Sequence, residues 1–300
     1  MSRRFQFTAS RPRFTPPAGA CDCHTHVFGP VDRYPFAPRR AYVPMDSLPE
    51  DARTMMDRLG LERIVFVQPS PYGPDNRCML DAMAEFGPAA RGVAVIDEST
   101  PESELGRLHE AGVRGIRLNI ATGGNDTGEP LGTRAENLAR RVAGHGWHLQ
   151  LFIVPGALVE LESTLAALPV PCVIDHMGLI PPDGFRDHAA FHALARLLAG
   201  GNCWVKLSGA YRVANSDTQF GSVVPLAQAL VAARPDRMVW GSDWPHTPHH
   251  KGAPDPGDEP KPYRGLDTGQ LLDLLADWTP DAAVRDQILA ENPARLYDFE

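Results

Sequence analysis

The chain has 300 residues, of which 43% are hydrophobic and 22% charged, so it can bury a large core and is not a disordered chain. Its formal net charge of -8 and the lack of any basic block argue against a nucleic-acid surface. No stretch approaches the ~18 apolar residues that a membrane span needs. The chain has five cysteines, an odd number, and they are scattered along the sequence, as is typical of free thiols in a reducing cytosol. These properties favour a cytoplasmic globular protein and leave its oligomeric state open.

The N-terminal segment, residues 1–17, carries several arginines and no apolar run. A secretory signal peptide needs such a run, so this segment is not one. We expect a flexible leader over residues 1–17, followed by a single catalytic domain over residues 18–300.

Eight short apolar runs recur along the chain, and each is nearly continuous in hydrophobicity, as expected for strands covered on both faces. They are residues 20–28, 63–68, 92–96, 115–120, 148–153, 172–176, 204–208 and 238–243. Amphipathic helical patterns separate or follow them at residues 47–59, 79–86, 102–111, 134–143, 158–167, 191–198, 224–233, 267–278 and 281–289. Strand and helix alternating eight times predict an α/β fold of the (β/α)8 TIM-barrel type, which typically needs about 250 residues. The alternative is an open doubly wound sheet. Such a sheet would need a glycine-rich phosphate loop after its first strand, and the sequence has none there.

Polar side chains stand where three of the predicted strands end, which is where a barrel of this type carries its working residues. His24 and His26 are two apart, so on a strand both would point into the barrel mouth. His176 ends the sixth apolar run and Asp243 ends the eighth. Surface histidines, a structural histidine and a loop cap are the alternative interpretations. A buried carboxylate needs a partner, so we predict a catalytic cluster in which the histidines accompany Asp243.

Three blocks of sequence carry a family resemblance. Residues 25–30 read THVFGP, residues 68–76 read QPSPYGPDN, and residues 240–246 read WGSDWPH. Together with the spacing of Asp22, His24 and His26, these blocks resemble the amidohydrolase superfamily and, within it, the 2-pyrone-4,6-dicarboxylate lactonase family. The resemblance runs from about residue 19 to residue 297. It implies an amidohydrolase-type barrel that works without a metal in aromatic catabolism, opening the cyclic ester of a small carboxylated substrate.

A metal is the main alternative within this superfamily, whose barrels often hold zinc through the H-x-H pair, a strand-five histidine and the strand-eight aspartate. The predicted fourth strand offers Arg117 and Asn119 in place of the bridging lysine that some members use. Gln150 stands at the exit of the fifth strand, and a neutral amide is a poor zinc ligand. We therefore predict no cofactor. The alternative is one zinc or other divalent ion on His24, His26 and Asp243, completed by His148 or His176.

Substrates of this family carry acidic groups, and arginine recognises a carboxylate through two parallel hydrogen bonds. The resemblance carries this role onto Arg117, at the end of strand four, and Arg212, just after strand seven. Arg114 has the wrong parity for the barrel mouth. Lys206 is expected to support Asp243 or the substrate, or to form a structural ion pair. Further substrate-binding candidates are Ser70, Tyr72, Asn119, Gln150 and His246, the last with a surface loop position as its alternative.

These observations predict a lactonase-type hydrolase in which Asp243 takes a proton from water while His24, His26 and His176 polarise the carbonyl. The alternatives are a sugar-diacid lactone isomerase, a zinc-dependent amidohydrolase or decarboxylase, and a binding protein without chemistry. Residues 121–131 form a glycine-rich loop that lacks an arginine, which leaves Arg134 as the nearest partner for a second acidic group. A monoacid, a sulfonated muconolactone and a sugar lactone all stay open as substrates.

Overall fold

The computed structural model describes residues 5–121, 129–214, 217–248, 257 and 259–300. Its eight strands are β1 (Cys21–Thr25), β2 (Arg63–Val67), β3 (Ala90–Ala94), β4 (Val113–Asn119), β5 (His148–Phe152), β6 (Cys172–Ile174), β7 (Cys203–Ser208) and β8 (Met238–Gly241). Each strand pairs in parallel with the next along the chain. At the seam, the amides of His26 and Asp243 each donate at 2.9 Å, to the carbonyls of Trp244 and His24. The predicted (β/α)8 barrel is therefore confirmed.

The helices follow the predicted series with differences at three places. The helices are α1 (Pro49–Leu59), α2 (Arg77–Phe86), α3 (Glu102–Glu110), α4 (Leu131–Val142), α5 (Pro155–Glu160), α6 (Glu162–Ala166), α7 (Ala189–Ala199), α8 (Ala210–Val213), α9 (Val224–Ala233), α10 (Thr268–Trp278), α11 (Ala282–Asp286) and α12 (Asn292–Tyr297). The helix predicted at 158–167 is divided at Leu161, and the one at 281–289 continues through a π-helical turn, Gln287–Glu291, into α12. The single turn α8 was not predicted, because four residues are too few to show a helical period.

The buried strand residues divide into two clusters, as expected for strands covered on both faces. The larger cluster joins the strands to the surrounding helices. The smaller one contains strand residues such as Cys21, Val93 and Val239, and its other buried members are Tyr297 and Phe299 near the C-terminus. These C-terminal side chains therefore pack onto the barrel interior. Arg114 pairs with Asp298 of the same segment.

The described part of the N-terminal segment is attached to the barrel, which differs from the flexible leader expected there. Phe5 is buried with its ring 4.8 Å from that of Tyr263. The Ser10 amide donates to Asp267 at 2.8 Å, and the Arg13 amide donates to Asp273 at 2.7 Å. The carboxylates of Asp267, just before α10, and of Asp273, within α10, thus accept hydrogen bonds from this segment. Residues 1–4 lie outside the described residues.

Two further expectations concern the cysteines and the membrane. All five cysteines are buried free thiols, as predicted. Among the residues that the structure describes, we find no helix of the length and hydrophobicity that crossing a bilayer requires.

Candidate active site

Three imidazole rings converge on one carboxylate at the C-terminal end of the barrel. The Nε2 atoms of His24, His26 and His176 lie 3.7, 3.6 and 3.8 Å from the carboxylate oxygens of Asp243. All four side chains are buried. The structure thus brings together the four residues proposed as catalytic, whose roles remain predictions.

Left-handed backbone conformations position two of these four side chains. His176 lies in a tight turn, Asp175–Leu179, with φ of +50°, and Asp243 follows β8 with φ of +60°. Such conformations are uncommon for residues other than glycine, and they concentrate where the surrounding structure holds a functional side chain in place. The turns after β6 and β8 therefore direct His176 and Asp243 toward the barrel axis.

The two oxygens of Asp243 have different surroundings. Oδ2 accepts hydrogen bonds from the Tyr211 hydroxyl at 2.6 Å and from Nε of Arg212. Oδ1 has no hydrogen-bond partner among the described residues and faces Nε2 of His24 and His26. Burial raises the pKa of Asp243, but Arg212 and His176 outweigh burial and hold that pKa well below its usual range. Asp243 is therefore ionised at neutral pH, and Oδ1 is the oxygen available to a ligand or water.

Each histidine is held at Nδ1 and presents Nε2 to the centre. His26 Nδ1 lies 2.7 Å from the Val67 carbonyl, and His176 Nδ1 lies 2.8 Å from the Ser208 hydroxyl. His24 Nδ1 lies 3.3 Å from Lys206 Nζ. Burial lowers the pKa of all three rings, that of His176 to about 4, so they are neutral at pH 7.

Beneath the histidines, a fully buried network surrounds Lys206. Its ammonium donates to the Cys23 carbonyl at 2.8 Å and to Oε1 of Gln150 at 2.6 Å. The Gln150 amide donates in turn to Asp175 at 3.0 Å, and Asp175 lies 3.7 Å from Lys206. Burial raises the pKa of Asp175, but His24 and Lys206 outweigh burial and lower it overall. Burial also lowers the pKa of Lys206, an effect that Asp175 opposes, so the two groups form a buried pair in which each favours the charged form of the other.

Two adjoining cavities open above this cluster. The inner chamber, about 20 Å³ in volume, is bordered by His26, His176, Arg212 and Asp243 among others. The outer cavity, about 180 Å³, is bordered by Arg39, Arg40, Ile96, Asp97 and Arg134 among others. Both are lined by Ser70, Arg117 and Asn119. These three and Arg212 therefore border the space above the cluster, and their contact with a substrate stays a prediction.

The other three predicted substrate-binding residues line neither cavity. The Tyr72 hydroxyl accepts the Gly29 amide at 2.8 Å, because the turn after β2 directs this side chain toward the loop that follows β1. His246 Nε2 lies 3.1 Å from the Thr268 hydroxyl. Both ends of the Gln150 amide are engaged by Lys206 and Asp175 below the chamber. The positions of these three side chains therefore do not support the predicted substrate contacts.

Sequence reasoning missed residues of two kinds. Tyr42, Phe152 and Thr247 line the inner chamber, and neither a strand-end position nor a motif had indicated Tyr42 or Thr247. Asp175 was also overlooked as part of the site. Its signal was present, because a carboxylate directly after an apolar run and next to a strand-end histidine needs a buried partner.

The donor atoms of His24, His26 and Asp243 lie within 4.8 Å of one another, as do those of His24, Asp175 and His176. Two imidazole nitrogens with a carboxylate oxygen form a set that zinc accepts, so these residues fit one divalent ion. His148 belongs to neither group, because it lies deeper, with its ring 5.3 Å from that of Tyr297. His148 is therefore not the ligand that would complete such a site.

Gly209, between β7 and α8, allows a test of whether activity depends on the position of the His176 imidazole. A Cβ at this position would lie 2.7 Å from His176 Nδ1, and the backbone there has φ of +59°. We expect Gly209→Ala to destabilise the protein by about 1–3 kcal/mol and to lower kcat by displacing the imidazole. In Gly146→Ala, the matched control, the backbone is also left-handed, with φ of +69°, but the added methyl meets nothing within 4 Å, so stability should fall through backbone strain while kcat is unchanged. Unchanged kcat in Gly209→Ala would show that this placement is unimportant.

Comparison with known proteins decides the family. The model of the family described as amidohydrolase matches residues 21–299. The chain belongs to the amidohydrolase family. This agrees with the barrel and with the histidines and aspartate at its strand ends.

Three curated relatives match nearly the whole chain. A 2-pyrone-4,6-dicarboxylate hydrolase of Comamonas testosteroni is 36% identical over 96% of this chain and 93% of its own length. A 4-sulfomuconolactone hydrolase of Rhizobium radiobacter is 37% identical over 95% and 91%. A D-galactarolactone isomerase of Agrobacterium fabrum is 30% identical over 98% and 96%. A crystal structure from Agrobacterium tumefaciens superposes with a TM-score of 0.84 at 28% identity, covering 98% of this chain and 99% of the other.

Proposed function

We propose that this amidohydrolase hydrolyses the ring ester of a small lactone that carries acidic groups. The observation that carries the proposal is the ionised Asp243, whose Oδ1 faces Nε2 of His24 and His26 at the edge of the inner chamber. The relatives named as hydrolases of 2-pyrone-4,6-dicarboxylate and of 4-sulfomuconolactone support this class of substrate. The cytoplasmic breakdown of a lactone derived from an aromatic compound is the setting we propose for it.

The first step is attack by water. The inner chamber has about 20 Å³, which exceeds the ~10–15 Å³ that one water needs. A water there donates one hydrogen bond to Oδ1 of Asp243. Its oxygen bonds to the lactone carbonyl carbon as Asp243 takes its proton, and the carbonyl electrons move onto the carbonyl oxygen.

The three histidines have two different roles, because one orients the water and two stabilise that oxygen. The Val67 carbonyl can only accept, so the proton of neutral His26 is on Nδ1 and its Nε2 is an acceptor suited to orienting the water. The Ser208 hydroxyl can donate to Nδ1 of His176, which leaves that ring with a proton on Nε2. Nδ1 of His24 lies 3.3 Å both from the Lys206 ammonium, a donor, and from Asp175 Oδ1, an acceptor, and our proposal places the proton of this ring on Nε2 as well. His24 and His176 then donate to the developing oxyanion, and loss of one such donor typically costs about 10²–10³ in rate.

In the second step the tetrahedral intermediate collapses. The carbonyl re-forms, the bond from its carbon to the ring oxygen breaks, and Asp243 returns the proton to that oxygen. One water is consumed and the product is the ring-opened acid. Arg117 and Arg212 bind the substrate's acidic group, since both guanidinium groups line the chamber.

We propose that this reaction needs no metal. Lys206, Arg117 and Arg212 already place positive charge around the centre. An ion on His24, His26 and Asp243 would polarise the carbonyl as a Lewis acid. We expect kcat to survive exhaustive dialysis against a chelator, with substoichiometric metal in the active protein by elemental analysis. Loss of activity that zinc restores would instead establish the zinc alternative.

Isomerisation is the second candidate, because a D-galactarolactone isomerase is among the relatives. The two reactions differ in their products, so we would incubate the purified protein with 2-pyrone-4,6-dicarboxylate, 4-sulfomuconolactone and a sugar-diacid lactone and record NMR spectra. A ring-opened acid supports hydrolysis. A lactone with a changed ring would identify the isomerase.

A further inference from the structure

The carboxylate of Asp243 is held by a side chain that borders neither of the two cavities. The Tyr211 hydroxyl donates to Oδ2 at 2.6 Å, and because an ionised carboxylate can only accept, the phenol proton lies in this hydrogen bond. The Tyr211 side chain is buried and lines neither the inner chamber nor the outer cavity. Tyr211 is therefore placed to act on Asp243 and not on a bound substrate.

Arg212, the other donor to Oδ2, is shared with further partners. Its Nε donates to Asp243, and its Nη2 donates to the Thr247 hydroxyl at 2.9 Å. Arg212 also lines the inner chamber, where the proposed reaction makes it bind the acidic group of the substrate. The substrate and Asp243 would then compete for one guanidinium. A second donor on Oδ2 that the substrate does not reach, the Tyr211 hydroxyl, keeps Asp243 in place while Arg212 is shared.

The ring of Tyr211 is itself held by residues between β8 and α10. The His246 ring meets it edge to face, with 5.7 Å between the centroids, and the Arg264 guanidinium lies 4.9 Å from its centroid. His246 Nε2 lies 3.1 Å from the Thr268 hydroxyl, and the Arg264 amide donates to the His246 carbonyl at 2.9 Å. His246, which faces away from the cavities, therefore supports the ring whose hydroxyl holds Asp243.

We infer that Tyr211 is a positioning residue for the general base, because its hydroxyl fixes Oδ2 of Asp243 and so keeps Oδ1 facing the water and the histidines. This inference rests on the proposed lactone hydrolysis, in which Oδ1 takes a proton from water. General-base catalysis needs the acceptor within hydrogen-bond reach of that proton, so a carboxylate that can rotate is productive only part of the time. Tyr211 therefore contributes to kcat and not to substrate binding.

Tyr211→Phe removes the hydroxyl and keeps the ring, so it isolates this hydrogen bond. The assay uses 2-pyrone-4,6-dicarboxylate or 4-sulfomuconolactone, whichever the wild-type protein opens faster. We expect kcat to fall about 10- to 100-fold, as loss of a hydrogen bond to a charged group typically gives, with KM within about twofold. A kcat within about twofold of the wild type, or a loss that appears only in KM, would overturn the inference.

Tyr263→Phe is the matched control. Tyr263 is also buried, its hydroxyl also donates at 2.6 Å, here to the Met45 carbonyl, and it lines neither cavity. This variant loses a buried tyrosine hydrogen bond away from Asp243, so it should lose stability in urea and keep kcat and KM within about twofold of the wild type. Equal losses of kcat in the two variants would assign the effect to lost stability and overturn the inference.

A second variant and a crystal structure cover the remaining outcomes. If Tyr211→Phe does not fold, Thr268→Val removes the hydroxyl beside His246 and leaves Tyr211 intact. A fall of about 2- to 10-fold in kcat alone then supports the inference, and an unchanged kcat overturns it. If the wild-type protein opens no lactone, the hydrolysis proposal fails, and a crystal structure of Tyr211→Phe tests the positioning. An Asp243 carboxylate that is rotated or in two conformers supports it, and the wild-type orientation refutes it.

Discussion

Replacing Asp243 with Asn is expected to lower kcat by about 10²–10⁴-fold, the usual contribution of a positioned general base. Asn has the same shape, and it tolerates the left-handed backbone that this position requires, φ of +60°. Its neutral amide cannot take a proton from water, so the first step of the proposed reaction is lost. The measurement is the rate of lactone disappearance, with circular dichroism to confirm that the variant is folded.

Asp298→Asn is the matched control for that experiment. Asp298 also has a left-handed backbone, with φ of +56°, but it pairs with Arg114 and lines neither cavity. Its kcat should stay within about twofold of the wild type, as for surface changes away from a site. A folded Asp243→Asn protein with near-normal kcat would rule out Asp243 as the base.

Replacing Lys206 with Met is expected to destabilise the protein by about 3–5 kcal/mol, as breaking a buried ion pair from one side usually does. The ammonium is fully buried and lies 3.7 Å from Asp175, whose charge would lose this partner. The Cys23 carbonyl and Gln150 Oε1 would also lose their donor. The free energy of unfolding in urea measures the loss.

Two further variants show whether that loss comes from the buried charge. Lys261→Met changes an exposed lysine and should alter the unfolding free energy by no more than about 0.5 kcal/mol. Lys206→Met combined with Asp175→Asn removes both charges, so it should be more stable than the sum of the single losses predicts. A loss below about 1 kcal/mol in Lys206→Met would mean that Asp175 does not depend on this ammonium.

The barrel could be predicted from the sequence because its signals are local and repeated. Each strand is a short continuous apolar run, and alternation along the fourth strand gave the correct inward placement of Arg117. His24, His26, His176 and Asp243 could be found because they stand at or just beyond strand ends. The division at Leu161 and the turn α8 could not, since neither changes the hydrophobic period of the residues around it.

The substrate-binding side of the site was less predictable. Beyond a strand end, the direction in which a side chain points depends on backbone angles that the sequence pattern does not show. His246, with φ of +65°, turns toward Thr268, and Tyr72 turns toward Gly29. Tyr42 and Arg39 reach the cavities from the long segment between β1 and α1. This segment has no hydrophobic period from which its course could be predicted. Gln150 lies on the predicted strand, but not at its exit as predicted. It lies one layer of side chains deeper in the barrel, because its partners Lys206 and Asp175 lie beneath the histidines.

The most direct test of the proposed reaction follows the oxygen of water into the product. We would incubate the purified protein with 2-pyrone-4,6-dicarboxylate or 4-sulfomuconolactone in oxygen-18-labelled water and analyse the products by mass spectrometry. Attack by a water that Asp243 activates predicts a ring-opened acid with one labelled oxygen in its new carboxylate, formed at the full rate by the wild-type protein and not by Asp243→Asn. A product without the label, or labelled product formed equally by the variant, would contradict hydrolysis at this site.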